Sequence, residues 1–156
     1  MPKGIYKLPE IKNETIKTYA PGSPEREELK AMLAKFGKGG FDIPMIIGGK
    51  EVKTDKFRDI RPPHDHRKLI GRYHQGEGSH VKQAIDAALK AKPAWESMKW
   101  ESRAAIFLKA AELISGPYRQ ILNAATMIGQ SKNAFQAEID CVCELSDFFR
   151  YNVKNM

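Results

Sequence analysis

Two cysteines, Cys141 and Cys143, are all that this chain of 156 residues carries, which excludes a disulfide-stapled scaffold. They stand two apart inside a helical pattern, pointing about 200° apart around it, so they cannot readily pair with each other. They read as reduced thiols on a helix, and no metal site is expected, because two further ligands at suitable spacing are missing. No stretch approaches the roughly 18 consecutive apolar residues of a membrane span. The opening Met1-Pro2-Lys3-Gly4-Ile5-Tyr6-Lys7 lacks the apolar centre of a secretory signal, so a soluble intracellular protein without a membrane partner is expected. Clustered charge is absent too. The net charge of +7, from 26 Lys and Arg against 19 Asp and Glu, is interleaved, as in Glu25-Arg26-Glu27-Glu28-Leu29-Lys30. That suits a solvated surface rather than a nucleic-acid stripe, and no nucleic-acid partner is expected.

What is present is an ordinary globular composition, 42% hydrophobic and 29% charged, enough for one domain or part of one. The amphipathic run from Asn133 to Met156 ends without the glycine or proline that commonly closes a helix. Its Phe148, Phe149 and Tyr151 ask for a partner surface, so further chain is expected to follow.

Residues 1–22 read as a polar, extended arm, broken by Pro2 and Pro9. Ser23 suits an N-cap and Pro24 the first helical position. Glu25, Glu27 and Glu28 favour the positive end of the helix dipole. Leu29, Met32, Leu33 and Phe36 give that helix one buried face, and Gly37 ends it. Pro44 to Val52 reads as a tight hairpin about Gly48-Gly49. Phe57–Ile60 and Lys68–His74 alternate, completing a small antiparallel unit.

Helices fill the rest. Ser79 is expected to cap one whose face is Val81, Ala84, Ile85, Ala88 and Leu89, with Pro93 and Trp95 marking an irregular end. Glu101-Ser102-Arg103 opens the next, with Ala104, Phe107, Leu108 and Ala111 apolar and Gly116-Pro117 as its stop. Ile121, Leu122, Ala125 and Ile128 form a third face up to Gly129, and Asn133 caps the last helix.

Candidate chemistry is sparse. His64-Asp65-His66 follows two prolines without a third ligand and reads as a polar turn. Gly71, Gly76 and Gly78 read as turn glycines, because Glu77 stands where a phosphate would approach and no Lys-Ser/Thr follows. Trp95, Trp100, Phe107 and Phe135 read as core. Periodicity alone makes Glu138 a surface charge.

Several segments carry a resemblance: Tyr19 to Leu29, Ala84-Ile85-Asp86-Ala87-Ala88-Leu89 ahead of Trp95-Glu96, Arg103 to Pro117, and Thr126 to Lys132. The most specific is the last helix, Gln136-Ala137-Glu138-Ile139-Asp140 through Asp147-Phe148-Phe149-Arg150-Tyr151-Asn152. From about Thr18 onward the chain resembles the amino-terminal part of the aldehyde dehydrogenase superfamily, and within it the L-glutamate γ-semialdehyde dehydrogenases. The resemblance implies an α/β fold of which this piece is mostly helical with a small antiparallel β unit, lacking the Rossmann-like parallel strands. Residues 23–156 would form the first, incomplete part of the cofactor-binding domain.

It also implies an NAD-dependent enzyme of proline breakdown that oxidises the semialdehyde, the open form of pyrroline-5-carboxylate, to glutamate. A Cys thiolate attacks the aldehyde, hydride passes to nicotinamide, and activated water releases the acid. The nucleophilic Cys, the base Glu, the oxyanion Asn and the NAD contacts all belong to later sequence in that family. No catalytic or cofactor residue is therefore assigned on this chain, and tight NAD binding by it alone is not expected. Glu138, in the Gln-Ala-Glu-Ile-Asp helix, is the one residue carried over, as a wall of the substrate pocket or a water-organising carboxylate. The piece is expected to be inactive by itself, to expose helix faces and strand edges, and to need the remainder or a complementing chain, in a homo-oligomer. A cytoplasmic location is implied, or the mitochondrial matrix for a eukaryotic source. The alternative is a non-catalytic helical module that binds a partner through its last helix.

Overall fold

Pro24 opens the first helix, α1 (Pro24–Gly37), in the computed structural model, which describes residues 9–156. The first eight residues of the expected arm, including the Met1–Lys7 segment, lie outside the described residues. Ser23 takes the extended backbone of an N-cap, but its hydroxyl makes no capping bond and is buried without a partner. Fixed φ at Pro24 and the carboxylates of Glu25 and Glu27 start the helix instead. Leu29 is buried with Tyr19 and Ala124, and Met32, Leu33 and Phe36 pack around them, as their spacing predicts.

Five short strands follow: β1 (Phe41–Ile43), β2 (Met45–Ile47), β3 (Lys50–Val52), β4 (Phe57–Ile60) and β5 (Gly71–His74). Strands β2 and β3 form the expected hairpin. Gly48 and Gly49, at φ +58° and +77°, supply the two positive angles that a type I′ turn demands. Strands β4 and β5 pair antiparallel, but β1 pairs parallel with β5 to give a mixed sheet of order β1-β5-β4. The parallel pair is possible because some thirty residues separate Phe41 from its partner Gly71. Gly71 is therefore a strand residue, not a turn residue: a Cβ there would lie 2.3 Å from the Phe41 carbonyl oxygen.

Helix α2 (Gly78–Ser97) takes Glu77, not Ser79, as its N-cap residue, and His80 Nδ1 accepts the Glu77 N–H at 3.0 Å. It runs through Pro93 without ending there, since only the last turn loses a backbone donor. Its expected apolar face is open to solvent, with Val81, Ile85 and Leu89 each more than half exposed.

Helices α3 (Trp100–Ser115) and α4 (Arg119–Gln130) flank Gly116 and Pro117. A short α5 (Ala134–Ala137) is capped by Asn133, whose side chain accepts the Gln136 N–H at 2.9 Å. A six-residue π-helical segment (Glu138–Cys143) leads into α6 (Glu144–Lys154). Buried Ala104 and Ala111 let α6 come close to α3, and Val142 and Val153 are buried with them. The last helix thus spends one side on α3 and leaves Phe148 outward.

The expected aromatic core is not formed. Trp95, Trp100 and Phe135 are exposed, and half-buried Phe107 links neighbours, its ring 6.3 Å from Trp95 and 5.6 Å from Phe149. The expected face of α4 is corrected as well. Ala125 is exposed and the buried positions are Arg119, Gln120, Asn123 and Ala124, because this helix faces a charge.

Candidate functional site

That charge is Glu138. The π segment makes its backbone bonds over five residues, as in Glu144 N–H to the Ile139 carbonyl. The extra residue comes after Glu138, whose own N–H still bonds the Ala134 carbonyl as in a regular helix. Glu138 is fully buried, and a carboxylate in that position needs both charge and hydrogen bonds around it.

Both are supplied. Arg119, itself buried, opens α4 and forks onto the carboxylate: Nε lies 3.1 Å from Oε1 and 3.3 Å from Oε2, and Nη2 closes a short contact to Oε1. Asn123, one turn along α4, donates its Nδ2 to Oε2 at 2.8 Å. The arm contributes the rest. The Lys17 N–H reaches Oε1 at 2.8 Å, and the Tyr19 hydroxyl donates to Oε2 at 2.7 Å while accepting from Asn123 at 2.8 Å. Burial alone would raise the Glu138 pKa, but Arg119, Lys17, Tyr19 and Asn123 outweigh it and hold the carboxyl below its ordinary value.

The pair extends outward. Arg119 Nη1 donates to Glu14 at 2.9 Å and Nη2 to the Thr15 carbonyl at 2.7 Å, and Glu14 also takes Arg150 at 2.8 Å. Cys143 completes the inner surface, its sulfur 3.9 Å from Glu138 Oε1. Desolvation, aided by the Glu138 charge, pushes its thiol up to about 11. A thiol held protonated in this way is no nucleophile at neutral pH.

Sequence reasoning singled out Glu138 but missed Arg119, Tyr19, Asn123 and Glu14. The available signal was Arg119 and Asn123 four apart on α4, polar residues whose face becomes meaningful only once a buried carboxylate is known to oppose them. Cys141 and Cys143 are free thiols, the first half-buried and the second buried. His64 and His66 stay in a polar turn region, with His64 Nδ1 bonded to Ser131 Oγ at 2.8 Å. Among the described residues no three His, Cys, Asp or Glu side chains converge as metal ligands would. No helix among them is long and apolar enough to cross a membrane.

Strand β5 leads through Gly76-Glu77-Gly78 into α2, the layout that can bind phosphate at a helix N-terminus. There, however, the Glu77 carboxylate occupies the positive end and pairs with Lys56. Two open grooves run beside the arm. One of about 780 Å³ is lined by Lys17, Glu28, Met32, Arg119 and Gln120, the other of about 460 Å³ by Tyr19, Leu29, Met127 and Phe135.

Residues 50–156 match the aldehyde dehydrogenase family model. The chain belongs to the aldehyde dehydrogenase family. It is 50% identical over 149 residues to the delta-1-pyrroline-5-carboxylate dehydrogenase of Agaricus bisporus, covering 95% of this chain and 27% of that protein. It is 45% identical over 150 residues to the mitochondrial delta-1-pyrroline-5-carboxylate dehydrogenase of Emericella nidulans, covering 96% and 26%. Among solved structures it is similar to the delta-pyrroline-5-carboxylate dehydrogenase of Mycobacterium tuberculosis bound with NAD and cobalamin. That likeness has a TM-score of 0.95 and 41% identity over 99% of this chain and 29% of the other. The chain thus spans about a quarter of the length of its curated relatives. Within the family, the resemblance to the γ-semialdehyde dehydrogenases holds over nearly the whole chain.

Proposed function

We propose that this chain is the amino-terminal portion of an NAD-dependent dehydrogenase that oxidises L-glutamate γ-semialdehyde to glutamate in proline breakdown. The supporting observation is identity near one half, carried over almost the entire chain, to the delta-1-pyrroline-5-carboxylate dehydrogenase of Agaricus bisporus, of which the match covers 27%. Residues 1–22 serve as an arm, and residues 23–156 as the first part of the cofactor-binding domain. The catalytic thiolate, the base and the nicotinamide contacts belong to the remainder, since Cys143 is protonated and buried and the α2 N-terminus is taken by Glu77. The complete enzyme is a homo-oligomer, in the cytoplasm or, for a eukaryotic source, the mitochondrial matrix.

Glu138 enters this proposal at the border of the substrate pocket, as an ionised residue that shapes the wall. Its oxygens are committed to Arg119, Asn123, Tyr19 and Lys17, so it acts by position rather than by exchanging a proton. The exposed stripe on α2 supplies a face for the remainder. The test is NADH formation with pyrroline-5-carboxylate by this chain alone and mixed with a chain supplying the rest. Activity in the mixture only supports the proposal, whereas activity in neither, with both chains folded, refutes it.

A further inference from the structure

Residues 13–19 lie outside the helices and strands and are densely hydrogen-bonded to them. An extended segment cannot satisfy its own backbone, so its groups must find partners elsewhere. Here the Glu14 N–H donates to Asp147 of α6 at 2.8 Å, and the Tyr151 hydroxyl donates to Asn13 at 2.6 Å. Thr15, Lys17 and Tyr19 then present the inner bonds at alternate positions, the period at which an extended chain returns to one side. The Thr15 carbonyl accepts from Arg119, the Lys17 N–H donates to Glu138, and the Tyr19 hydroxyl donates to Glu138. At the far end the Tyr19 carbonyl accepts from Arg26 of α1 at 3.1 Å. Tyr19 sits at φ +53°, a left-handed angle costly for a bulky residue and kept only where its surroundings over-determine it.

We propose that residues 13–19 are a strap that positions Glu138 and the π-helical segment, with Arg119 and Tyr19 as its positioning residues. Docking of the strap and ordering of the site are one equilibrium. Removing the strap strips Glu138 of two donors and Arg119 of two acceptors, which leaves a buried ion pair half-satisfied. Removing Arg119 takes away the group that holds the Thr15 carbonyl and the Glu14 carboxylate. The consequence for turnover rests on the proposed dehydrogenase function, whereas the coupling itself does not.

Amide hydrogen exchange on the full 156-residue chain tests the coupling. The Glu14 and Lys17 amides, which donate to Asp147 and Glu138, are expected to exchange at least about tenfold more slowly than in an unstructured chain. Arg119→Met is expected to erase that protection while α2 amides, remote from the network, stay unchanged, and Arg119→Lys to restore part of it. Tyr19→Phe removes a single hydroxyl and decides the matter should Arg119→Met fail to fold. Free exchange of the Glu14 and Lys17 amides in the wild type, or exchange there unaltered in a folded variant, overturns the strap. In the chain joined to a remainder, kcat/KM is expected to drop at least about tenfold in Arg119→Met, with partial rescue by Arg119→Lys. Unchanged kcat/KM with an undocked strap overturns the positioning role. Absence of wild-type activity refutes the dehydrogenase proposal instead, and the exchange data still decide the strap.

Discussion

The Tyr19 hydroxyl lies 2.7 Å from Glu138 Oε2, a bond between residues 119 positions apart in the chain. It fastens the extended arm to the π-helical segment and completes the surroundings of a carboxylate with no access to water. Several measurable properties depend on that arrangement.

Arg119→Met leaves Glu138 buried without its counter-charge. Breaking one side of a buried ion pair costs about 3–5 kcal/mol, a large share of the roughly 5–15 kcal/mol that a domain has in total. Urea unfolding should show a loss of that order, and Arg119→Met with Glu138→Gln together should recover much of it, because the orphaned charge is then gone.

Acid should weaken the same network. Glu138 and Glu14 are both held below the ordinary carboxyl value of 4.5, the bonds from Arg119 and their other partners exceeding the opposing effect of burial. The unfolded chain therefore binds more protons than the folded one around that pH. Their stabilisation is full above about pH 4.5 and is lost as pH falls through the lower folded values. Unfolding midpoints measured from pH 7 to 3 should decline, and Glu138→Gln should flatten the slope.

The two thiols should differ in reactivity. Cys143 is buried with its pKa pushed up to about 11, whereas Cys141 is half-buried. Iodoacetamide followed by mass spectrometry at pH 8 should modify Cys141 well before Cys143, and both alike in urea. Equal native rates would show that Cys143 is not protected by burial.

Gly71→Ala should be among the most damaging small substitutions. Its added carbon would meet the Phe41 carbonyl oxygen at 2.3 Å, a contact with backbone that only separation of β1 from β5 relieves. A cost of roughly 3 kcal/mol is expected by thermal unfolding, at the upper end for single replacements. Leu89→Lys, on the open face of α2, should leave stability within about 0.5 kcal/mol and reduce self-association by light scattering.

Much of the fold is legible where one periodic signal meets one local partner. Leu29, Met32, Leu33 and Phe36 mark the inner side of α1, Gly48-Gly49 the hairpin, and Asn133 the cap. Strand β1 escaped because Phe41-Asp42-Ile43 is too short to alternate and finds its partner some thirty residues away. The inner side of α4 escaped because its apolar residues point toward a different part of the surface from Arg119 and Asn123. Glu138 looked like a surface residue because a carboxylate was weighed without the partners that bury it, Arg119, Asn123, Tyr19 and Lys17. Trp95 and Phe135 looked like core because bulk alone was weighed. Resemblance, not periodicity, brought Glu138 forward, and long-range contacts alone supply its companions.

The π segment also sets the rotational phase of everything after it. A residue added to or taken from an α-helix turns the following part by about 100°. With Glu138–Cys143 wound instead as a regular helix of the same six residues, α6 would arrive turned by about that angle, with Ser146 and Val153 swung off their buried line. The wide turn works as a keyway: it takes up one residue and still delivers the last helix with the same side facing inward.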